Sequence, residues 1–401
     1  MEAYYFTECP YPDAWQHVDK GPIRVTCPNK YFDPVKGADL LNERLDEWVL
    51  ADELGLNIMF NEHRSTTTCL TASCIPPLAM MARETKKARL LTLGATIGMR
   101  QDPIALAEEL SYVDVVSRGR LEMGLVKGYP AELAPSNMNP TGVSSRFWEA
   151  HDLILKAMTH HDGAFNWEGE HFHYREVCIW PRPYQQPHPP VWVTSFSKAS
   201  SIEIAERGHI CAAAADAMLA KMIFDSYRQR RLELGDPSPA LDRFAYLGLL
   251  AVGHTQEEGL ARLGKIRGWV WSSGVTPPQF VNPPGFNSVA ANVQMLKAEP
   301  GSSWATKAKA RNGRIINPST CSPADLIDLG MGFGGTPDQA FEQLREFNQY
   351  VGGIGHLLAM MHGGDLSHAE ATDSLKLFSR EVLPRLKELP APPRESARAV
   401  A

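Results

Sequence analysis

Four short segments carry residue types that do chemistry, and each follows a short apolar run. Asn61-Glu62-His63-Arg64 follows a run at 58–60 and places an ionisable pair, Glu62 and His63, at its end. An imidazole there acts as a general base near neutral pH, or donates a hydrogen bond to a bound ring. Leu93-Gly94-Ala95-Thr96 closes a second run. The small residues Gly94, Ala95 and Thr96 let a flat ligand approach the backbone. Lys127-Gly128 follows a third run, a cation beside a permissive residue, which suits an anion. Ser195-Phe196-Ser197-Lys198-Ala199-Ser200-Ser201 opens a helix after a fourth. The hydroxyls of Ser195, Ser197 and Ser200, next to Phe196, join free backbone N–H groups at the positive end of a helix dipole, a suitable phosphate cradle. Each segment has a plain structural alternative: a histidine bonded to a carbonyl, strand packing, a solvated lysine, or a serine cap without a ligand.

These segments work together only if one fold gathers them. Strands are predicted at 4–6, 58–60, 90–96, 121–126, 191–195, 209–214, 244–252 and 354–361, with helical patterns between them. That βαβα rhythm, with eight strands and eight helical returns, is the count of an α/β fold closed as a single (β/α)8 TIM barrel. In such a barrel the active site lies at the carboxyl ends of the strands. All four segments occupy that end. Residues 165–190 read as an inserted hairpin and a proline-rich crossing, and the longest insertion, 268–335, follows strand seven. A long irregular excursion inside a compact domain is usually functional or mobile, and Trp269, Trp271, Phe280, Phe286 and Trp304 within it suit either an apolar substrate or the packing of the loop itself. One domain over 1–389 and a disordered tail at 390–401 complete the expected layout.

Composition narrows the function classes. The chain has 401 residues, 44% hydrophobic and 21% charged, with a formal net charge of -6. Neither nucleic acid nor an anionic membrane is recruited by that balance. The seven cysteines are scattered without a C-x-x-C, which fits free thiols in a cytoplasmic protein. No apolar run approaches the roughly 18 residues of a membrane span. Gly330-Met331-Gly332-Phe333-Gly334-Gly335 matches G-x-G-x-x-G but follows a helical stretch, so it reads as a flexible hinge and not a dinucleotide fingerprint. His160-His161 and His171-Phe172-His173 lack a third ligand at a convincing spacing, so no metal site is expected.

Taken in order, the segments resemble the bacterial-luciferase-like flavin-dependent monooxygenases. DVVSRGRLEMGLVKG from Asp114 is the strongest block. NEH at Asn61, DPIALAEEL from Asp102, WPRPYQQPHPPVWVTSFS from Trp180 and LKLFSREVLPRLKEL from Leu375 support it. The resemblance implies that Ser197 and Ser200 contact a flavin phosphate with Lys127 supplying charge. It also implies a cis-prone peptide near Gly94-Ala95 under the flavin ring, His63 beside the reacting edge, and 268–335 as a lid, the mobile loop that closes over the pocket. It implies reduced FMN supplied by a separate flavin reductase, O2, a small apolar organic substrate, and oxygenation through a C4a-hydroperoxyflavin. A homodimer through helices two and three belongs to the same expectation. The alternatives are an F420-dependent oxidoreductase of the same fold, or a flavin-binding protein without turnover. Three departures bear on this: Lys127 stands where relatives often have arginine, Val126 where luciferase has a reactive cysteine, and Arg64 where a second histidine is common.

Overall fold

The computed structural model describes residues 1–18, 21–272, 276–289, 292–293, 308–317 and 320–390, apart from the side chains of 269–272. Trp269, Trp271, Trp304 and residues 391–401 therefore lie outside the described side chains. The strands are β1 (Glu2–Thr7), β2 (Asn57–Met59), β3 (Leu90–Leu91), β4 (Leu121–Leu125), β5 (Phe165–Glu168), β6 (His173–Val177), β7 (Val191–Ser195), β8 (Ile210–Ala213), β9 (Phe244–Val252), β10 (Ala308–Lys309), β11 (Ile315–Ile316), β12 (Gly332–Gly335) and β13 (His356–His362). Eight of them close a parallel barrel in the order β1-β2-β3-β4-β7-β8-β9-β13, with β13 pairing back to β1. The expected (β/α)8 barrel is present. The hairpin β5–β6 is the insertion read at 165–190.

Period-two alternation along the strands separates two apolar layers. Tyr4, Phe6, Met59, Leu91, Trp192, Leu358 and Met360 fill the barrel interior. Tyr5, Ile58, Leu90, Val193, Leu357 and Ala359 face the surrounding helices. Those helices are α1 (Pro34–Glu53), α2 (Ile75–Glu84), α3 (Pro103–Ser117), α4 (Val143–Thr159), α5 (Lys198–Glu206), α6 (Ala217–Glu233), α7 (Gln256–Ser272), α8 (Pro278–Val281), α9 (Pro323–Leu329), α10 (Pro337–Tyr350) and α11 (His368–Leu377), with a last turn at Leu383–Lys387. Their starts are chemically specified. The Asp33 carboxylate accepts from Val35 and Lys36 N–H, Asp102 accepts from Ala105 N–H ahead of Pro103, and Thr336 with Gln339 forms a capping box.

Four expectations need correction. The strand read at 90–96 stops at Leu91, because Ala95 N–H turns back to Thr92 O at 3.0 Å around a cis Leu93–Gly94 peptide. The cis bond is therefore one position before the pair named from the resemblance. The glycine run read as a hinge is instead a buried parallel strand: Gly332–Gly335 pairs with the second half of β9. Its glycines permit that fit. A Cβ on Gly334 would stand 3.1 Å from Ala251 O, and one on Gly259 of α7 would reach Gly335 O at 2.3 Å. Helix α7 also runs on to Ser272, so the irregular excursion is shorter than 268–335 at both ends.

Candidate active site

Because β1, β2, β3, β4 and β7 are consecutive parallel neighbours, the residues after them form one arc at the carboxyl end of the barrel. Glu8 follows β1, His63 follows β2, Gly94–Thr96 follow β3, Lys127 and Gly128 follow β4, and Ser195 ends β7. The four segments picked from sequence therefore share one rim.

The Glu62–His63 pair does not form. Neighbouring residues on an extended backbone point opposite ways, and these two have different partners. Glu62 is buried and accepts four bonds: from Thr96 N–H at 2.9 Å, Thr96 Oγ1 at 2.7 Å, Cys74 N–H at 3.1 Å and Arg100 Nη2 at 2.9 Å. Burial alone would raise its pKa, but Arg100 and the Thr96 and Cys74 donors bring it below the usual carboxylate value. His63 keeps 23% of its side chain exposed. Its Nδ1–H donates to Glu132 Oε1 at 2.6 Å, and its Nε2 lies 3.7 Å from Glu8 Oε1. Burial disfavours the ring's charge, yet Glu132 and Glu8 outweigh it and raise the His63 pKa to about 9.

Glu132 and Glu8 were not found from sequence. Glu132 is 69 positions from His63. The only local signal was Tyr129-Pro130-Ala131-Glu132, the start of a helical turn with a carboxylate in its first turn. That carboxylate accepts from Tyr129 N–H at 3.3 Å and from Arg64 N–H at 3.2 Å.

The floor between the arc's two ends is tight. Gly94 is pressed on Val126, where a Cβ would meet Val126 Cγ1 at 2.1 Å. Gly128 takes φ +103, and a Cβ there would meet the Met99 thioether. Ala95 is fully buried and bridges Leu125, while Thr96 is held by Glu62.

At the far end, Ser197 caps α5 by accepting from Ser200 N–H at 3.2 Å. The Ser195 and Ser200 hydroxyls meet at 2.8 Å, and those of Ser197 and Ser200 at 3.0 Å. Phe196 stands exposed beside them. Burial lowers the Lys127 pKa, and Glu203 on α5 opposes that shift, so the lysine is within electrostatic reach of the serine-capped helix. Lys127 has no ion pair among the described residues. Its Nζ lies 4.3 Å over the ring of Phe286 from the excursion. Phe286 packs on Met99, Leu133 and Val143, and Gly285 abuts Thr141, so residues 276–289 rest on the loop after β4.

A cavity of about 260 Å³ opens beside His63, lined also by Tyr11, Phe32, Cys69 and Leu70. A groove of about 890 Å³ lies on the outer flank between α5 and α6, lined by Lys198, Met218, Lys221 and Arg230. His171 of the set-aside histidine pair bonds Ser145 at 2.7 Å. Among the described residues no group of three His, Cys, Asp or Glu is placed to hold a metal ion, and no helix is long and apolar enough to cross a membrane.

Comparisons with known proteins bear on the family and the fold. Residues 25–353 match the family model described as luciferase-like monooxygenase. The protein y4wF of Sinorhizobium fredii is 33% identical over 184 residues, 45% of this chain and 52% of that one. The oxygenase component of flavin-dependent trigonelline monooxygenase of Acinetobacter baylyi is 28% identical over 160 residues, 39% of this chain and 43% of that one. The chain thus spans about half the length of the curated relatives it matches. Among solved structures, the monooxygenase RslO1 of Streptomyces bottropensis superposes with a TM-score of 0.71 at 18% identity, over 96% of this chain and 100% of that one. The oxygenating constituent of 3,6-diketocamphane monooxygenase of Pseudomonas putida, in complex with FMN, gives 0.67 at 19%, over 89% and 95%. An F420-dependent secondary alcohol dehydrogenase gives 0.62 at 14%, over 88% and 95%. These structural likenesses show the fold. The matched family model, the closed parallel barrel and the arc at its carboxyl end together make the chain a member of the luciferase-like monooxygenase family.

Proposed function

We infer that this chain is the oxygenating component of a two-component flavin monooxygenase, taking reduced FMN from a separate reductase and using O2 to oxygenate a small apolar organic molecule. One observation carries the reading: a hydroxyl-rich helix start, a lysine without an ion pair among the described residues, a small-residue floor and a histidine stand on neighbouring strand ends. Ser195, Ser197 and Ser200, the first N–H groups of α5, and Lys127 would hold the phosphate. Gly94, Ala95, Thr96 and Gly128 would form the surface under the ring, with Phe196 at its edge. His63 would stand beside the reacting edge. Glu62, its carboxylate saturated, is a positioning group that fixes Thr96 and Arg100 beneath that surface.

Bound reduced FMN supplies the activation of O2, with one oxygen atom passing to the substrate and the other leaving as water. The chain's share is to orient and to exclude water. The segment that places Phe286 on Lys127 covers the phosphate end of the arc, and a dry pocket suits such chemistry. The name of the trigonelline relative, an oxygenase component, supports a reductase partner, and the FMN complex of the diketocamphane enzyme supports the cofactor. Phe286 and the Tyr11, Phe32 and Leu70 lining support an apolar substrate. Pairing of two copies through α2 and α3 belongs to the same reading and is supported by exposed Met80 and Tyr112 on those helices. So do one catalytic domain over 1–389 and a cytoplasmic setting, the latter supported by seven free cysteines.

The test is to mix the protein anaerobically with reduced FMN and a panel of apolar substrates, then admit isotopically labelled dioxygen. Labelled product and tight binding of reduced FMN are expected. Preferential binding of F420 with hydride transfer indifferent to O2 contradicts the reading. Flavin binding without product also contradicts it.

A further inference from the structure

At the other end of the arc from Ser197, His63 is held by a cluster of carboxylates. Glu132, 2% exposed, accepts Nδ1–H at 2.6 Å and is fixed from behind by Arg64 and Tyr129 N–H. Glu8 approaches the other ring nitrogen, and its second oxygen, Oε2, is buried with no hydrogen-bond partner among the described residues. A neutral imidazole has one N–H. Given to Glu132, it would leave the Nε2 lone pair facing the Glu8 carboxylate, an electrostatic clash. A protonated ring satisfies both sides. Other charged groups around it do not change that count. Arg24, stacked 4.9 Å over Tyr129, disfavours the charge, Arg64 offers only its backbone N–H, and the Cys69 thiol is raised by burial and stays neutral.

We propose that Glu132 is the positioning residue of this site: it locks the His63 ring through Nδ1 and keeps it protonated, so that the ring, which lines the cavity, serves there as a proton donor and not as a base. Glu8 assists by favouring the charged ring, and at 3.7 Å it holds Nε2–H more loosely than Glu132 holds Nδ1–H. This rests on the functional reading above and deepens it: His63 supplies a proton to an oxygen that gains negative charge during the reaction.

The experiment follows histidine resonances by NMR in the full chain without flavin, with His63 assigned by His63→Asn. Wild type, Glu132→Gln, Glu132→Asp and Glu8→Gln are titrated, and each is then assayed for turnover across pH. In wild type the His63 signal holds its proton up to about pH 9. Glu132→Gln moves it toward the ordinary value of about 6.5, Glu132→Asp restores most of the shift, and Glu8→Gln moves it less. A full return to that value cuts the protonated fraction at pH 8 by up to about 30-fold, so kcat falls by up to that factor while KM holds. The alkaline limb of the kcat profile moves with the NMR titration. An unshifted His63 in Glu132→Gln, or in Glu8→Gln should the first variant fail to fold, overturns the proposal. A kcat limb that ignores the NMR shift also overturns it. A wild-type protein that oxygenates nothing, yet shows the NMR shifts, removes the functional reading and supports the clamp.

Discussion

At the carboxyl end of the barrel His63 stands between two carboxylates; at the amino end His209 stands against another histidine. His209 precedes β8, and its Nε2 meets His151 Nε2 at 2.7 Å, while His151 Nδ1 reaches Asp152 at 2.7 Å. Burial and the His151 ring hold the His209 pKa down to about 3. His356, at the start of β13, donates to Asp242 O at 3.0 Å and packs on Trp192, and burial lowers it to about 4. The same side chain is thus driven in opposite directions within one barrel. Burial disfavours charge at all three rings: at His63 two carboxylates outweigh it, whereas beside His356 the Asp242 carboxylate does not. His209 and His356 therefore stay neutral and tightly packed, which serves stability, whereas His63 keeps a charge at the end of the barrel where chemistry is done.

Substitution at each end separates the two roles. His63→Ala is expected to cut oxygenation per folded molecule at least about 100-fold, the low end for a lost proton-transfer group, and to lower stability below about pH 6.5, where the charged ring pairs with Glu132. His209→Ala is expected to leave turnover per folded molecule within about twofold and to cost about 1–3 kcal/mol of stability, read by urea denaturation, because His151 loses a buried partner. The contrast breaks if His63→Ala acts by unfolding the protein or if His209→Ala stops turnover in folded protein.

The pH dependence of stability sharpens it, with opposite signs. His209 and His356 have folded values below the unfolded one, so the unfolded chain binds more protons as pH falls below about 6.5. Their contribution is intact above that pH and is lost on acidification, at up to about 1.4 kcal/mol per pH unit for each. His63 has a raised folded value, so its contribution is intact below about pH 6.5 and lost as pH rises toward 9. Denaturation midpoints across pH check this: His209→Asn flattens the acid limb and His63→Asn the alkaline one. The smallest effect is expected at the phosphate end, where Ser197→Ala removes a helix cap, costs about 1 kcal/mol and weakens FMN binding several-fold.

The barrel was legible because its strands are apolar runs of ordinary length; β9 was read at its full extent, Phe244–Val252. Strand β12 was not, because Gly-Phe-Gly-Gly has no pleat pattern and forms only where β9 and α7 leave room for bare backbone. The rim segments were legible for the same reason as the strands that end in them. The partners of His63 were not: Glu8 and Glu132 follow other strands, and the side-by-side pairing of β1 through β4 brings them to one imidazole. Adjacency in sequence suggested Glu62 instead, and the extended backbone turns that carboxylate down to Thr96 and Arg100.

The most direct test of the account is a crystal structure with FMN bound. It should place the phosphate among Ser195, Ser197, Ser200 and Lys127, with the ring lying over Gly94–Thr96 and its edge toward His63. A phosphate seated elsewhere, such as the outer groove at Lys198, Lys221 and Arg230, or a ring turned away from His63, would contradict it.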